Sequence, residues 1–364
     1  MDLWGGLRDA RDGSPWSEDT LVLVYSTSKG LSAMTIALAH SRGWLDYDER
    51  VATYWPEFAE AGKGEVTVRQ LLGHEAGLPV VDERLDPGIL EDFDRLASAI
   101  ARQRPLWQPG TRHGYHGVSL GWYEGELVRR TDPEGRTLGQ VFAQDIAGPL
   151  GLDVYFGLPD TVGDERLARI ERSTPRRMLA GLRDLPPRMA LAMANPRSVT
   201  FRTFANPRLR TPADLDRRAY RHVEFPAGGA VGGARDIARA YAAFAARVPE
   251  LGVRPETVEQ LTRFPRPPTR GWRDVVLKVD TAFALGYARP LGPFRFGSSQ
   301  RAFGHPGAGG SFGFADPDRE VAFAYVMNRL GFHLRDDPRE YALRRALYAC
   351  VDDAERRTAP QFVH

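Results

Sequence analysis

Leu21-Val22-Leu23-Val24-Tyr25-Ser26-Thr27-Ser28-Lys29-Gly30 joins a short apolar run, read as a buried strand over 21–25, to a polar turn. An apolar-periodic stretch follows from Leu31 to Ser41 and reads as a helix, with Gly43 where a C-cap residue is expected. A serine at this hand-over sits at the positive end of the helix dipole, where free backbone N–H groups can face a developing anion. Lys29 follows one turn later, so its amine projects on the same face as the Ser26 hydroxyl. A serine hydroxyl becomes a nucleophile when a neighbouring base takes its proton, and a desolvated lysine can be that base. A polar helix start with a solvated lysine accounts for the same four positions. Two facts favour chemistry: Ser-x-x-Lys occurs once, and it directly follows a buried-strand signal.

Lysine is scarce throughout the chain. Only Lys29, Lys63 and Lys278 appear among 49 basic residues, so a lysine is a candidate for a place where a removable proton is needed. The 364 residues carry a net charge of +2, with 42% hydrophobic and 26% charged side chains, enough to bury a sizeable core. Arginine crowds at Arg202, Arg208, Arg210, Arg217, Arg218 and Arg221, but Asp214 and Asp216 interrupt the run and no aromatic platform is interleaved. It reads as a solvated surface, and no nucleic-acid partner is expected. The single cysteine, Cys350, excludes an intrachain disulfide and a multi-cysteine metal site. No apolar run of about 18 residues and no signal-peptide pattern is present, so no membrane partner and a cytoplasmic location are expected.

The chain's organisation points to an α+β fold. Residues 66–72 read as a helix start closed by Gly77-Leu78-Pro79, residues 90–240 as mostly helical, and 235–247 as a strong helix. Past 270, Val275–Val279, Phe283–Tyr287, Phe312–Ala315 and Val321–Met327 read as strands, and 338–353 as a closing amphipathic helix. An antiparallel sheet flanked by the first and last helices is expected, from residues 1–75 and 225–364. A helical subdomain over 76–224 is inserted between them, and its part over 160–225 covers the site.

Two further segments carry candidate chemistry. Tyr115 lies in Pro109-Gly110-Thr111-Arg112-His113-Gly114-Tyr115-His116-Gly117. Near a lysine it can exist partly as phenolate or relay a proton, or it can be a packed aromatic with a satisfied hydroxyl. Gly304-His305-Pro306-Gly307-Ala308-Gly309-Gly310 reads as an edge strand closely approached by a ligand. The N–H of Ala308 paired with that of Ser26 would make a two-donor oxyanion hole. His305 can orient substrate, hold a water, or merely cap a strand. Gly309-Gly310-Ser311-Phe312-Gly313 also matches the nucleophile elbow of α/β-hydrolases, but a turn and another strand, not a helix, are expected after Ser311.

Taken in order, Ser26-x-x-Lys29, Tyr115 after Pro-Gly-Thr, and His305-x-Gly307 resemble the three motifs of the serine β-lactamase and penicillin-binding-protein superfamily. Leu71 to Pro79, Gly148-Pro149-Leu150-Gly151-Leu152 and the Tyr115-His116-Gly117 and Gly304–Gly307 segments are most similar to family VIII carboxylesterases, in the class C β-lactamase branch. The resemblance runs from about residue 2 to 350. It implies a Ser26 acyl-enzyme, with Lys29 and Tyr115 sharing general-base and general-acid work. It places the oxyanion on the Ser26 and Ala308 amides and substrate contacts at His116, His305, Gly307 and Gly309. No cofactor and no metal are implied. The implied partner is a small ester, and self-association stays open. Acyl transfer, weak β-lactamase activity and a catalytically silent binding relative remain the alternatives.

Three departures shape the expectation. Gly117 stands where the family's Tyr-x-Asn has an asparagine for a substrate amide, and His305-Pro306-Gly307 replaces Lys-Thr-Gly. Both favour an uncharged ester over a β-lactam or peptide, and small short-acyl esters are the expected substrates. The family's first helix and strand are expected to be missing, with the chain starting inside a strand at Asp2-Leu3-Trp4-Gly5-Gly6.

Overall fold

Among the described residues, which are 1–171, 174–207 and 212–358 of this computed structural model, the strands form three antiparallel sheets. A small hairpin pairs β1 (Leu7–Asp9) with β2 (Ser14–Pro15). Residues 2–6 lie outside any strand, so the first strand begins later than the sequence reading placed it. A second sheet joins β3 (Val22–Leu23), β4 (Val154–Tyr155) and β5 (Val231–Gly232), with β5 in the middle. The third holds β6 (Ala282–Ala284), β7 (Tyr287–Arg289), β8 (Phe303–Pro306), β9 (Phe312–Asp316) and β10 (Val321–Tyr325) in sequential order.

The helices that position the site are α1 (Thr27–Ser41), α2 (Val68–Leu72), α3 (Phe93–Arg102), α4 (Ser119–Thr131), α5 (Val199–Phe204), α6 (Ala234–Ala246) and α7 (Pro338–Thr358). α2 starts in a capping box, in which the Thr67 hydroxyl accepts the Gln70 N–H and the Gln70 side chain accepts the Thr67 N–H. α1 and α6 lie on one face of the five-stranded sheet. Period-two alternation in β9 explains how they fit. Phe312 and Phe314 point to the far face, into a cluster with Phe296 and the α7 residue Tyr348. Gly313 points to the near face, where a Cβ would stand 2.7 Å from Tyr241 of α6. The Tyr348 hydroxyl, 2.6 Å from Asp316 Oδ2, ties α7 to the end of β9.

α1 is buried on every side. Each residue from Thr27 to Ala39 is shielded from solvent, because α1 also meets α4 and small side chains let its neighbours approach. Gly30 is the tightest such place: a Cβ there would collide with the Tyr241 hydroxyl.

Three strand expectations are corrected. Val275–Val279 is a turn, because the Asp274 carboxylate accepts the N–H groups of Val276 and Leu277, both at 2.7 Å, and folds the run back on itself. Phe283–Tyr287 is split by Leu285 and Gly286, both at positive φ, into the β6–β7 hairpin. The His305 segment is no edge strand: β8 lies between β7 and β9, although β7 meets it only at Ala288–Gly304.

Candidate active site

Short β3 delivers Ser26 to the head of α1. Val24 N–H donates to Ala230 O at 3.0 Å, and the Ala230 N–H returns a bond to Ser28 Oγ at 3.0 Å. Between them Tyr25 adopts a positive φ of 48°, a strained conformation for a bulky residue that turns the chain sharply into Ser26. Ser26 is the N-cap of α1, yet its side chain caps nothing and is left for other partners.

Those partners are Lys29 and Tyr115. Lys29 is fully buried, with Nζ 3.2 Å from Ser26 Oγ and 2.7 Å from both Gly117 O and Ala227 O. Burial pushes its pKa down to about 7, against a smaller upward pull from Glu124. The three contacts suit either protonation state. A neutral amine has two N–H donors for the two carbonyls and a lone pair for the Ser26 O–H, and an ammonium has a third donor for Ser26 Oγ. A proton can therefore arrive at Nζ without leaving a buried group unpaired.

Tyr115 approaches from the other side, with Nζ of Lys29 4.9 Å from its ring centroid. Burial holds its phenol well above 10, and a hydrogen bond with Ser26 pulls weakly the other way. The phenolate option is thereby disfavoured, and a neutral O–H donor remains. The ring stacks on Phe283 at 5.6 Å and on His305 at 5.8 Å. Its backbone N–H donates to Asp274 Oδ2 at 3.0 Å, from the turn described above. The turn Tyr115-His116-Gly117 closes with Gly117 N–H to Tyr115 O at 2.9 Å, which aims the Gly117 carbonyl at Lys29.

His305 reaches the same centre from the near face of the sheet. Its Nδ1 is 2.7 Å from Pro306 O, so Nδ1 carries the proton, and Nε2 is a buried acceptor with no partner among the described residues. Burial and the Lys29 charge push its pKa down to about 3, which keeps it neutral. Gly307 packs beneath the head of α1, where a Cβ would stand 2.5 Å from Val24 O. Among the described residues neither the Ser26 nor the Ala308 amide N–H has an acceptor.

Two expected ligand contacts are placed elsewhere. His116 is buried with both ring nitrogens engaged: Nε2 accepts Leu78 N–H at 2.9 Å and Nδ1 lies 3.1 Å from His74 Nδ1. It braces the turn at Leu78 and has no nitrogen free for a ligand. Gly309 faces the segment 327–330, where a Cβ would stand 3.0 Å from Met327, and its carbonyl accepts from Gly331 and Arg339, each at 2.8 Å. Ser311 is likewise structural. Its hydroxyl donates to Val24 O at 2.7 Å and accepts from Thr27 Oγ1 at 3.0 Å, with strand β9 directly after it.

Several site residues were missed in the sequence. Ala227 O is one, and Pro226-Ala227-Gly228-Gly229 was the available signal of a close backbone approach. Asp274 is another; an aspartate heading an apolar run marks a turn better than a strand. Glu124 is the third. Burial raises it to about 8, and its Oε2 is 2.7 Å from Ser32 Oγ, which is 3.0 Å from Lys29 O. The Ser32 hydroxyl donates to Glu124 Oε2 and so links that side chain to the α1 turn carrying Lys29.

Of the crowded arginines, Arg202 pairs with Asp82, Arg217 with Asp214, Arg218 with Asp160 and Arg221 with Asp216. Arg208 and Arg210 lie outside the described residues. No helix among the described residues is long and apolar enough to cross a membrane.

Comparison with known proteins agrees with this architecture. The chain is 33% identical over 340 residues to the esterase/beta-lactamase LipL of Mycobacterium tuberculosis, covering 91% of this chain and 74% of that protein. A family VIII carboxylesterase structure matches with a TM-score of 0.81 at 36% identity, over 96% of this chain and 88% of its own. A penicillin-binding-protein homologue from Caulobacter crescentus matches with a TM-score of 0.80 at 35% identity, over 95% and 87%. The beta-lactamase family model matches residues 1–348, and with that span nearly the whole chain is accounted for: this protein belongs to the beta-lactamase family.

Proposed function

We propose that the protein is a serine carboxylesterase for small, uncharged, short-acyl esters. One observation carries the reading: a fully buried Lys29 amine, lowered to about 7, in hydrogen-bond reach of a serine hydroxyl that caps nothing. Resemblance to an esterase/beta-lactamase and to a family VIII carboxylesterase supports it.

In this mechanism Ser26 Oγ attacks the ester carbonyl carbon and its proton passes to Lys29 Nζ. The carbonyl π bond opens, and the oxyanion takes the free N–H groups of Ser26 and Ala308. As the C–O bond to the alcohol breaks, Tyr115 gives its proton to the leaving oxygen and recovers one from the Lys29 ammonium. Water then adds to the acyl-enzyme, its proton is taken by the same pair, and the carboxylic acid leaves with Ser26 restored. His305 Nε2, a neutral acceptor beside Tyr115, suits a water or an alcohol O–H.

A fluorophosphonate probe with peptide mapping tests the assignment. Modification of Ser26, together with p-nitrophenyl acetate turnover that is lost in Ser26→Ala, is expected. Labelling elsewhere, or turnover retained in the variant, refutes it.

A further inference from the structure

The position two residues after Tyr115 is empty in the sequence but occupied in space. A Cβ at Gly117 would collide with Cε1 of Phe204 and stand 3.0 Å from its Cζ and 3.1 Å from Cγ2 of Thr203. The Phe204 ring lies 6.4 Å from the Tyr115 ring and, at 36% relative exposure, keeps one side open to solvent. Gly117 is also the residue whose carbonyl holds Lys29. The aromatic edge is therefore seated one residue from the catalytic amine, with no polar group of its own.

The helix that carries this ring is fastened at both ends. Near the start of α5, Thr200 Oγ1 donates to Val276 O at 2.7 Å, in the turn whose Asp274 holds Tyr115. Beyond its end, Asn206 Nδ2 donates to Val81 O at 2.9 Å and to Glu83 O at 2.7 Å, and Asn206 Oδ1 accepts Leu85 N–H at 3.0 Å. Arg202 pairs with Asp82 on the same segment. A side chain on so constrained a helix has a set position, as a wall must if it is to discriminate by shape.

We infer that Phe204, resting on Gly117, is the specificity-determining wall of the Ser26 site, limiting the size of the ester substituent and presenting an apolar face to it. The inference rests on the proposed esterase reading and adds the residue that selects within it. Gly117 is then required by Phe204: a larger residue at 117 displaces the ring and disturbs the carbonyl that holds Lys29.

The test measures kcat/KM for wild type, Phe204→Ala, Gly117→Ala and the double variant. The substrates are p-nitrophenyl esters from acetyl to octanoyl and acetates of alcohols of increasing bulk. In Phe204→Ala the ratio of the largest to the smallest substrate is expected to rise at least tenfold in one series. Gly117→Ala alone is expected to lose at least tenfold, with most of the loss recovered when Phe204→Ala is added. Profiles of wild type and Phe204→Ala that superimpose within twofold in both series overturn the inference, as does a double variant no better than Gly117→Ala. A wild-type protein that hydrolyses none of these esters overturns the esterase reading and this inference with it, whereas an active wild type with unmoved profiles overturns the inference alone.

Discussion

The amine of Lys29 and the carbonyl oxygen of Gly117 stand 2.7 Å apart although 88 residues separate them in the chain. Together with Ala227 O, this contact fixes Nζ beside Ser26 through two backbone groups, with no carboxylate of the described residues in hydrogen-bond contact. An amine held by neutral backbone acceptors keeps most of the lowering that burial confers, with Glu124 exerting only a smaller upward pull.

The pH dependence follows from that arrangement. In the proposed mechanism Lys29 must be neutral to take the Ser26 proton, so kcat/KM should rise with pH through an inflection at about 7. Burial pushes His116 and His305 both down to about 3, so neither supplies that limb. His305→Gln should keep the inflection in a pH–rate profile. Lys29→Arg should lose about 10³-fold in activity, because a guanidinium gives up no proton.

Tyr115→Phe removes the O–H donor and leaves the stack on Phe283 and His305 in place. A fall in kcat of about 10²–10³-fold is expected, with little change in melting temperature. The effect should shrink with leaving groups that need no proton, so p-nitrophenyl acetate should suffer less than ethyl acetate. Equal losses on the two esters would count against proton donation.

Asp274 is a stability hinge for the site. Its buried carboxylate accepts N–H groups from Tyr115, Val276 and Leu277 and lies 3.3 Å from Thr281 Oγ1. Asp274→Ala orphans several buried donors, each worth about 1–3 kcal/mol. Chemical denaturation should show a loss of about 3 kcal/mol or more, while Asp274→Asn, which keeps one acceptor oxygen, should lose less.

Ser311→Ala separates the two candidate nucleophiles. It removes the hydrogen bonds to Val24 O and Thr27 Oγ1, at a cost of about 1–2 kcal/mol. Fluorophosphonate should still modify Ser26 in that variant. Loss of all labelling would return Ser311 to consideration.

Much of this was legible in the sequence, for identifiable reasons. A strand, a serine and a lysine one turn later are local features, and the α1 start and the helix start within 66–72 are local too. The far contacts were not legible. Nothing in Phe-Ala-Asn-Pro around Phe204 says that its ring fills the space above Gly117, because that meeting depends on how α5 is fastened. The run Val275–Val279 has the apolar character of a strand, and only the competing hydrogen bonds of the Asp274 carboxylate make it a turn. His116 was expected as a ligand contact from the resemblance, but its two ring nitrogens are taken up by His74 and the Leu78 N–H. Lysine scarcity alone did not separate Lys29 from the other two lysines. Lys63 is as buried as Lys29, yet its three donors go to Glu60 O, Ala101 O and Gln103 O and close the end of α3.

Because no residue of α1 from Thr27 to Ala39 faces water, the end of the helix capped by Ser26 has no way to fray by itself. Anything that loosens it must first part the sheet from the helices around it. Heating should therefore silence the enzyme and melt the whole molecule in one event, and variants selected for endurance at high temperature should keep their turnover for as long as they keep their shape.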